Sequence, residues 1–293
     1  MKIASLLWQG QERVGLVDPG AGAIDVVNLS PDQLWGVRDA VGLDAVAAAP
    51  KLGRVPVDQA HLLPPVPRPP KLICVAANYL EHLREGGSSD PVDEVRPQLF
   101  MKPPSTTLLG HNGVMRMPRT VQFLDYEAEL AVVIGKRLYQ AADHQAASAA
   151  IAGYTAFNDI SERKLKVDPR NDVRKNTWFF DWLAGKWLDG SAPMGPWLVT
   201  PDEVGDPQNL KIELRLNGQL LQSASTAAMM SGVYDIVWYA SQIMTLEPGD
   251  VIATGTPEGV GAARGISIQP GSVCEVSIER IGSLITRFAA DAP

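Results

Sequence analysis

Residues 124–135 read LDYEAELAVVIG, with acidic side chains set into the start of an otherwise apolar run. Val, Ile, Leu and Tyr dominate it and no helix cap precedes it, which predicts a β-strand, where alternate side chains share a face. Asp125, Glu127 and Glu129 then point one way, and Tyr126, Ala128, Leu130, Val132 and Ile134 the other. After Leu130 the run is apolar on both faces, as expected of a central strand whose acidic face turns toward a cavity. Two carboxylates two residues apart on a strand lie roughly 6 to 7 Å apart at Cα and can converge on one ion. Without a cation they repel, and in a half-buried place one of them is driven to protonate. An edge strand with a solvated acidic face is the other reading, and these residues alone leave both open.

The chain has 293 residues, enough to bury a substantial core as one large domain or as a domain with a smaller appendage. A net charge of -7 argues against a general affinity for nucleic acid or for an anionic membrane surface. No apolar run approaches the length that spans a bilayer. The opening MKIASLLWQGQER turns polar before a signal-peptide core is complete, and it reads as a strand running into a turn. Cys74 and Cys274 both sit in apolar, strand-like contexts expected to bury them as free thiols. These features point to a cytoplasmic protein.

Residues 1–70 form a small N-terminal α+β unit in this reading. Ile3–Trp8 and Val14–Val17 flank a Gly-Gln-Glu-Arg turn as a hairpin, Pro31 to about Ala49 is helical, and the prolines of 64–70 make a semi-rigid connector. Residues 71–293 carry the chemistry. Lys71–Ala76 is a buried strand that delivers Asn78, Tyr79, His82 and Glu85. His82 and Glu85 are three apart, the spacing that brings side chains together on one helical turn. A His held by a carboxylate suits proton abstraction from water, while an ordinary exposed pair is the alternative. The Gly- and Ser-rich stretch that follows, within 86–96, has the composition of a flexible loop, so the pair is expected to sit on a segment that moves.

Ala141–Ala150 reads as helix, and Ile151–Phe157 as a strand ending at Asn158-Asp159, where a carboxylate can complete a site or simply make a turn. Ser161–Lys175 gathers Arg163, Lys164, Lys166, Arg170, Arg174 and Lys175, mostly as a solvated loop, with one recruited to hold an anionic substrate. Lys186 stands alone among apolar neighbours behind Gly185, a context that favours a functional role. Asn217-Gly218 marks a two-residue hairpin. Tyr234–Thr245 has helical spacing that assigns Val237, Ala240, Ile243 and Met244 to the core. The Gly-rich turn 255–261 lacks the Lys and hydroxyl residue of a phosphate-binding loop, so nucleotide binding is rejected.

From Lys71 to Phe288 these segments, taken in order, resemble the fumarylacetoacetate hydrolase family, in particular its smaller prokaryotic-type members. The matching stretches are Asn78-Tyr79 with His82 and Glu85, residues 125–136, Gly153-Tyr154 through Asn158-Asp159-Ile160-Ser161 and Arg163, Gly185-Lys186, Gly195-Pro196-Trp197, and residues 246–252 into 255–261. The resemblance implies an α+β fold with a mixed β-roll or β-sandwich core, a homodimer, and one Mg²⁺ or Mn²⁺ held by Glu127, Glu129 and Asp159. It further implies that Lys186 supports the substrate's oxygens near the metal, that Thr256 helps hold a substrate carboxylate, that Tyr79 binds substrate, that Arg163 contacts it or is structural, and that His82 and Glu85 form a water-activating pair on a lid. Glu162 and Trp187-Leu188 depart from the residues usual in the family, so the distal end of the pocket is expected to differ.

Three oxygen ligands suit a hard divalent cation. The implied activity is hydrolysis of a carbon–carbon bond in an acylpyruvate or another 2,4-diketo acid, giving pyruvate or a related 2-oxo acid and a carboxylic acid. Decarboxylation of an oxaloacetate-like acid or isomerisation of an unsaturated 2-oxo diacid on the same metal site is the alternative, and a non-catalytic binder is a third. The expected partner is a small 2-oxo acid.

Overall fold

The strand Ala128–Ile134 is buried along its whole length, and the rest of the fold is arranged on its two faces. In the computed structural model, which describes residues 1–37, 40–87, 96–165, 167 and 177–291, it pairs antiparallel with Ile151–Asn158 on one side and Val251–Ala253 on the other. Val251–Ala253 in turn pairs parallel with Leu72–Ala76. Leu130, Val132 and Ile134 face a second, five-stranded sheet that contributes Ile212, Val276 and Leu284, and the helix Val233–Ile243 closes the same core. Ala131 and Val133 face the opposite way, onto Leu72, Cys74 and the N-terminal residues Leu34 and Trp35. A strand with apolar contacts on both faces has no wet side, which is why its sequence stops alternating after Leu130. Parallel and antiparallel pairs in packed sheets, with short helices at their margins, make a mixed α+β architecture.

The acidic stretch is not one continuous strand. It splits into Leu124–Asp125 and Ala128–Ile134. At the break, side chains replace the ladder: Asp125 accepts the N–H groups of Tyr126 (2.8 Å), Gly261 (2.6 Å) and Ala262 (2.9 Å), and the Glu127 N–H donates to Asn158 Oδ1 at 3.0 Å. Two helical expectations also change. Pro31–Ala49 is interrupted, with helices at Pro31–Trp35 and Asp44–Ala48, because Gly36 leaves the helical region and Gly42 takes φ +77°. Ile243, expected in the core, is 56% exposed, because it ends its helix beyond the packed layer formed by Val233, Ile236, Val237 and Ala240.

The N-terminal hairpin joins the larger sheet directly, with Lys2 and Ile3 paired to Val199 and Leu198. Pro65 is packed as well, its carbonyl accepting from Ser5 Oγ and the Trp35 indole. The hairpin at Asn217-Gly218 forms as expected, both residues at positive φ. Cys74 and Cys274 are buried free thiols. Residues 88–95 of the expected lid, and Lys166, Arg170, Arg174 and Lys175, lie outside the described residues. Among the described residues no helix is long and apolar enough to cross a membrane.

Candidate active site

Strand pairing brings the three carboxylates together. Ala128 lies opposite Asn158, so Glu127 and Asp159 emerge side by side at the ends of adjacent strands, and the Asp159 N–H donates to the Glu127 carbonyl at 2.9 Å. Glu129, two residues along, returns to the same side of the sheet. One carboxylate oxygen of each of Glu127, Glu129 and Asp159 lies within 4.8 Å of the others, and all three residues are buried.

The ends of neighbouring strands complete the surroundings. Gly255 follows Val251–Ala253 and donates its N–H to Glu129 Oε2 at 2.7 Å. Its φ is +92°, and a Cβ there would lie 2.7 Å from the Asn78 Cβ, so only glycine fits. Asn78 is itself bonded to the Thr254 carbonyl and to both backbone groups of Ser231, which fixes where the helix Leu80–Glu85 begins. On that helix His82 Nδ1 and Glu85 Oε1 are 2.8 Å apart, and Glu85 Oε2 accepts the Gly259 N–H at 2.8 Å. Glu85 therefore ties the histidine to the glycine-rich turn.

Cations interleave with the acids. Lys186 Nζ lies 2.7 Å from both Glu127 Oε2 and Asp159 Oδ2. Arg163 bridges Asp125, at 2.9 Å, and Glu127. Lys102, which sequence reasoning missed, is fully buried and donates to Asp159 Oδ1 at 2.6 Å. Asp125, Glu127, Glu129 and Asp159 thus carry four negative charges against three positive ones on Lys102, Arg163 and Lys186. The surplus falls on Glu129, whose described partner is an uncharged backbone N–H. Burial, then the charges of Asp159 and Glu127, push the Glu129 carboxyl well above its usual range. Burial acts on Glu127 in the same direction, but the Lys186 ammonium and the Arg163 guanidinium outweigh it and hold that group low. An all-oxygen, buried, net-negative donor set fits a hard divalent cation, Mg²⁺ or Mn²⁺.

A cavity of about 740 Å³ is lined by His82, Glu85, Glu127, Glu129, Asp159, Arg163, Lys186 and Thr256, but not by Tyr79, nor by Asp125, which the sequence placed on the same acidic face. Tyr79 is buried just before the helix it introduces, pairs with Met229 through backbone, and has no hydrogen-bond partner for its hydroxyl among the described residues. Thr256 does reach the cavity, and Gln222 organises it: Nε2 donates to Thr256 Oγ1 at 2.9 Å while Oε1 accepts the Ala128 N–H at 3.0 Å. The Thr256 oxygen is thereby occupied as an acceptor, and its hydrogen is left to donate to an anion. A lone Lys between an apolar strand and Pro103-Pro104 was the available signal for Lys102; nothing in the local sequence marks Gln222. The two family departures do not line the cavity. Glu162 is buried and accepts the N–H groups of Gln122, Phe123 and Lys164, while the Trp187 indole donates to the Met101 carbonyl.

Comparison with known proteins agrees with this geometry. Residues 71–289 match the fumarylacetoacetate (FAA) hydrolase C-terminal family. A 2,4-didehydro-3-deoxy-L-rhamnonate hydrolase from Sphingomonas sp. (strain SKA58) is 35% identical over 97% of this chain and 94% of its own length. Oxaloacetate tautomerase FAHD2B, mitochondrial, from Bos taurus is 39% identical over 82% of this chain and 73% of its own. Among solved structures, maleylpyruvate hydrolase from Sphingobium sp. SYK-6, in complex with manganese(II) ion and pyruvate, superposes with a TM-score of 0.74 at 27% identity, covering 100% of both chains. With these matches spanning the strands that build the acidic cluster, the chain belongs to the fumarylacetoacetate hydrolase family.

Proposed function

We propose that this protein is a divalent-metal-dependent hydrolase of acylpyruvates or related 2,4-diketo acids, releasing pyruvate or a related 2-oxo acid and a carboxylic acid. The observation that carries the reading is the His82-Glu85 pair on the same cavity as the three carboxylates. Enolisation alone needs no attacking water, whereas hydrolysis does.

Glu127, Glu129 and Asp159 would hold Mg²⁺ or Mn²⁺, which supplies Lewis acidity at oxygens where negative charge develops, worth several kcal/mol. Lys186 presents a positive charge to the same oxygens, and Thr256 donates to the substrate carboxylate. Glu85 holds the His82 ring with Nδ1–H toward it, so that Nε2 is the base. His82 takes a proton as the water oxygen adds to the C4 carbonyl carbon. The C3–C4 bond then breaks, its electron pair passes to the 2-oxo acid fragment as an enolate, and the proton held by His82 returns to C3. Water's atoms end up divided between the new carboxylic acid and the new methyl group.

The test is to incubate the Mn²⁺-loaded enzyme with 2,4-dioxopentanoate and, separately, with oxaloacetate, identifying the products by mass and following keto–enol exchange of oxaloacetate by the ultraviolet absorbance of its enol. Pyruvate and acetate are expected from the first. His82→Ala should lower kcat by about 10² to 10⁴ while calorimetric Mn²⁺ binding is unchanged. Turnover of oxaloacetate alone overturns hydrolysis in favour of tautomerisation or decarboxylation, the reading favoured by the likeness to the tautomerase, whereas a wild-type rate of hydrolysis in His82→Ala overturns the water-activating role of His82.

A further inference from the structure

Beyond the carboxylate cluster, the cavity wall is aromatic. Phe100 comes from the strand Gln98–Met101, and Trp178, Phe179 and Trp182 from the helix Thr177–Ala184, with Leu83 and Leu99 beside them. Phe100 and Trp182 meet edge to face at 5.0 Å, and Phe179 stacks on Trp182 at 5.9 Å with 28° between the planes. This wall begins at the reacting end, because Lys186 Nζ lies 5.4 Å from the Phe100 ring centre and 5.7 Å from that of Trp182. A 2-oxo acid whose oxygens are held at Lys186 therefore projects its remaining chain along rings. Trp178 and Phe179 are 70% and 40% exposed, so apolar surface is available for a ligand to cover. The cations that line the cavity among the described residues, Lys186 and Arg163, are already paired with Glu127, Asp159 and Asp125, which leaves a second substrate carboxylate without a counter-charge there.

We infer that the acyl tail this enzyme accepts is apolar, with aryl-alkyl and long alkyl groups preferred to carboxylated or hydroxylated ones. The inference rests on the 2-oxo acid reading above and specifies its substrate class. Phe100, Phe179 and Trp182 are the residues that set the preference. Burying the tail against them removes apolar surface on both partners from water, and a flat ring adds offset or edge contacts with indole and phenyl faces. A polar tail would instead lose water against phenyl rings that offer it no hydrogen bond and indoles that offer one N–H donor each, too few to replace the hydration of a carboxylate.

Three substrates with the same reacting carbonyls separate the possibilities: 2,4-dioxo-5-phenylpentanoate, 2,4-dioxopentanoate and 2,4-dioxohexanedioate. The phenyl compound is expected to exceed the methyl one in kcat/KM by at least about tenfold, the range one or more buried methylene equivalents confer. In Phe179→Ala and in Trp182→Ala this ratio should fall toward one; because both substrates are measured on one preparation, partial misfolding cancels. Binding of 5-phenyl-2-oxopentanoate and of 2-oxopentanoate, followed by tryptophan fluorescence with Mn²⁺ present, reports the same preference without turnover. Hydrolysis with no preference for phenyl, a preference for the diacid, or a ratio unmoved by both substitutions refutes the apolar tail and leaves the hydrolase reading standing. Tighter binding of the phenyl acid with no hydrolysis of any 2,4-dioxo acid supports the tail assignment while removing the hydrolase reading.

Discussion

Replacing Glu129 by Gln distinguishes a cation site from a structural network of ion pairs, because the two give opposite signs in the metal-free protein. The donor oxygens of Glu127, Glu129 and Asp159 lie within 4.8 Å of one another. Two unit charges at that separation repel by roughly 3.5 kcal/mol at an effective dielectric of about 20, and Glu129 faces two of them. Taking up a proton limits the damage. For an ordinary Glu titrating near 4.3 this costs about 1.36 kcal/mol per pH unit, or roughly 3.7 kcal/mol at pH 7. The penalty carried by metal-free wild type is therefore at most about 3.7 kcal/mol, reduced by whatever attraction Lys186 returns.

Gln has the shape of the protonated acid. Its carbonyl keeps the Gly255 N–H and its amide donates to the neighbouring carboxylates. Glu129→Gln should thus stabilise the metal-free protein by about 2 to 3.7 kcal/mol at pH 7, a rise of roughly 4 to 7 °C in melting temperature for a chain of this size. The sign with pH follows from the raised carboxyl. Its penalty is absent below the ordinary Glu value and grows as pH rises toward the folded one, so the gap should narrow to about 1 kcal/mol at pH 5. Mn²⁺ at about 100 times its Kd should stabilise wild type by about 2.7 kcal/mol and leave the variant unmoved. Thermal melts with chelator and with Mn²⁺, at pH 5 and pH 7, measure all four states. A metal-free variant that melts below metal-free wild type, or one that keeps the wild-type response to Mn²⁺, refutes the reasoning.

Lys102→Met removes one of the two lysines that hold Asp159, and stranding part of a buried charge should cost about 3 to 5 kcal/mol, read as a lower melting temperature. Burial pushes the Glu85 carboxyl up, but its hydrogen bonds from His82 and Gly259 hold it below the usual range. Its contribution to stability is accordingly complete above the ordinary Glu value and is lost as pH falls through the lower folded one. Wild type should lose stability relative to Glu85→Gln on acidification below about pH 4, and parallel acid melts of the two proteins would contradict this.

What could be read from the sequence and what could not divide along a physical line. The strands at 72–76, 128–134 and 151–158 announce themselves because burial on both faces demands long apolar runs, and the carboxylates stand out by interrupting them. Spacing alone placed His82 and Glu85 on one helical turn. The break at Tyr126-Glu127 was not legible, since it comes from Asp125 accepting N–H groups of Gly261 and Ala262, residues remote in sequence. Gln222 was missed for the same reason: a polar residue inside a strand looks like a solvent-facing position until its partners, Ala128 and Thr256, are known. Glu162, expected to alter the pocket, instead caps with its buried carboxylate the backbone leading into the acidic stretch.

The cost of the charged centre argues for its use. Lys102, Lys186, Glu127, Glu129 and Asp159 are all buried, and ion pairs in such places contribute less to stability than apolar residues of similar volume. A fold selected for stability alone would fill this space as it fills the layer around Leu130 and Val132, with aliphatic side chains. Retaining four acids against three bases, with the surplus on the carboxylate whose partner among the described residues is a backbone N–H, leaves the centre one positive charge short among those residues. On the proposed reading a divalent cation would relieve that deficit, and the positive charge left over would fall on the anionic 2-oxo acid substrate. Cation before substrate is the binding order expected on the same reading, because an anion entering first would add to the repulsion among the clustered carboxylates of Glu127, Glu129 and Asp159.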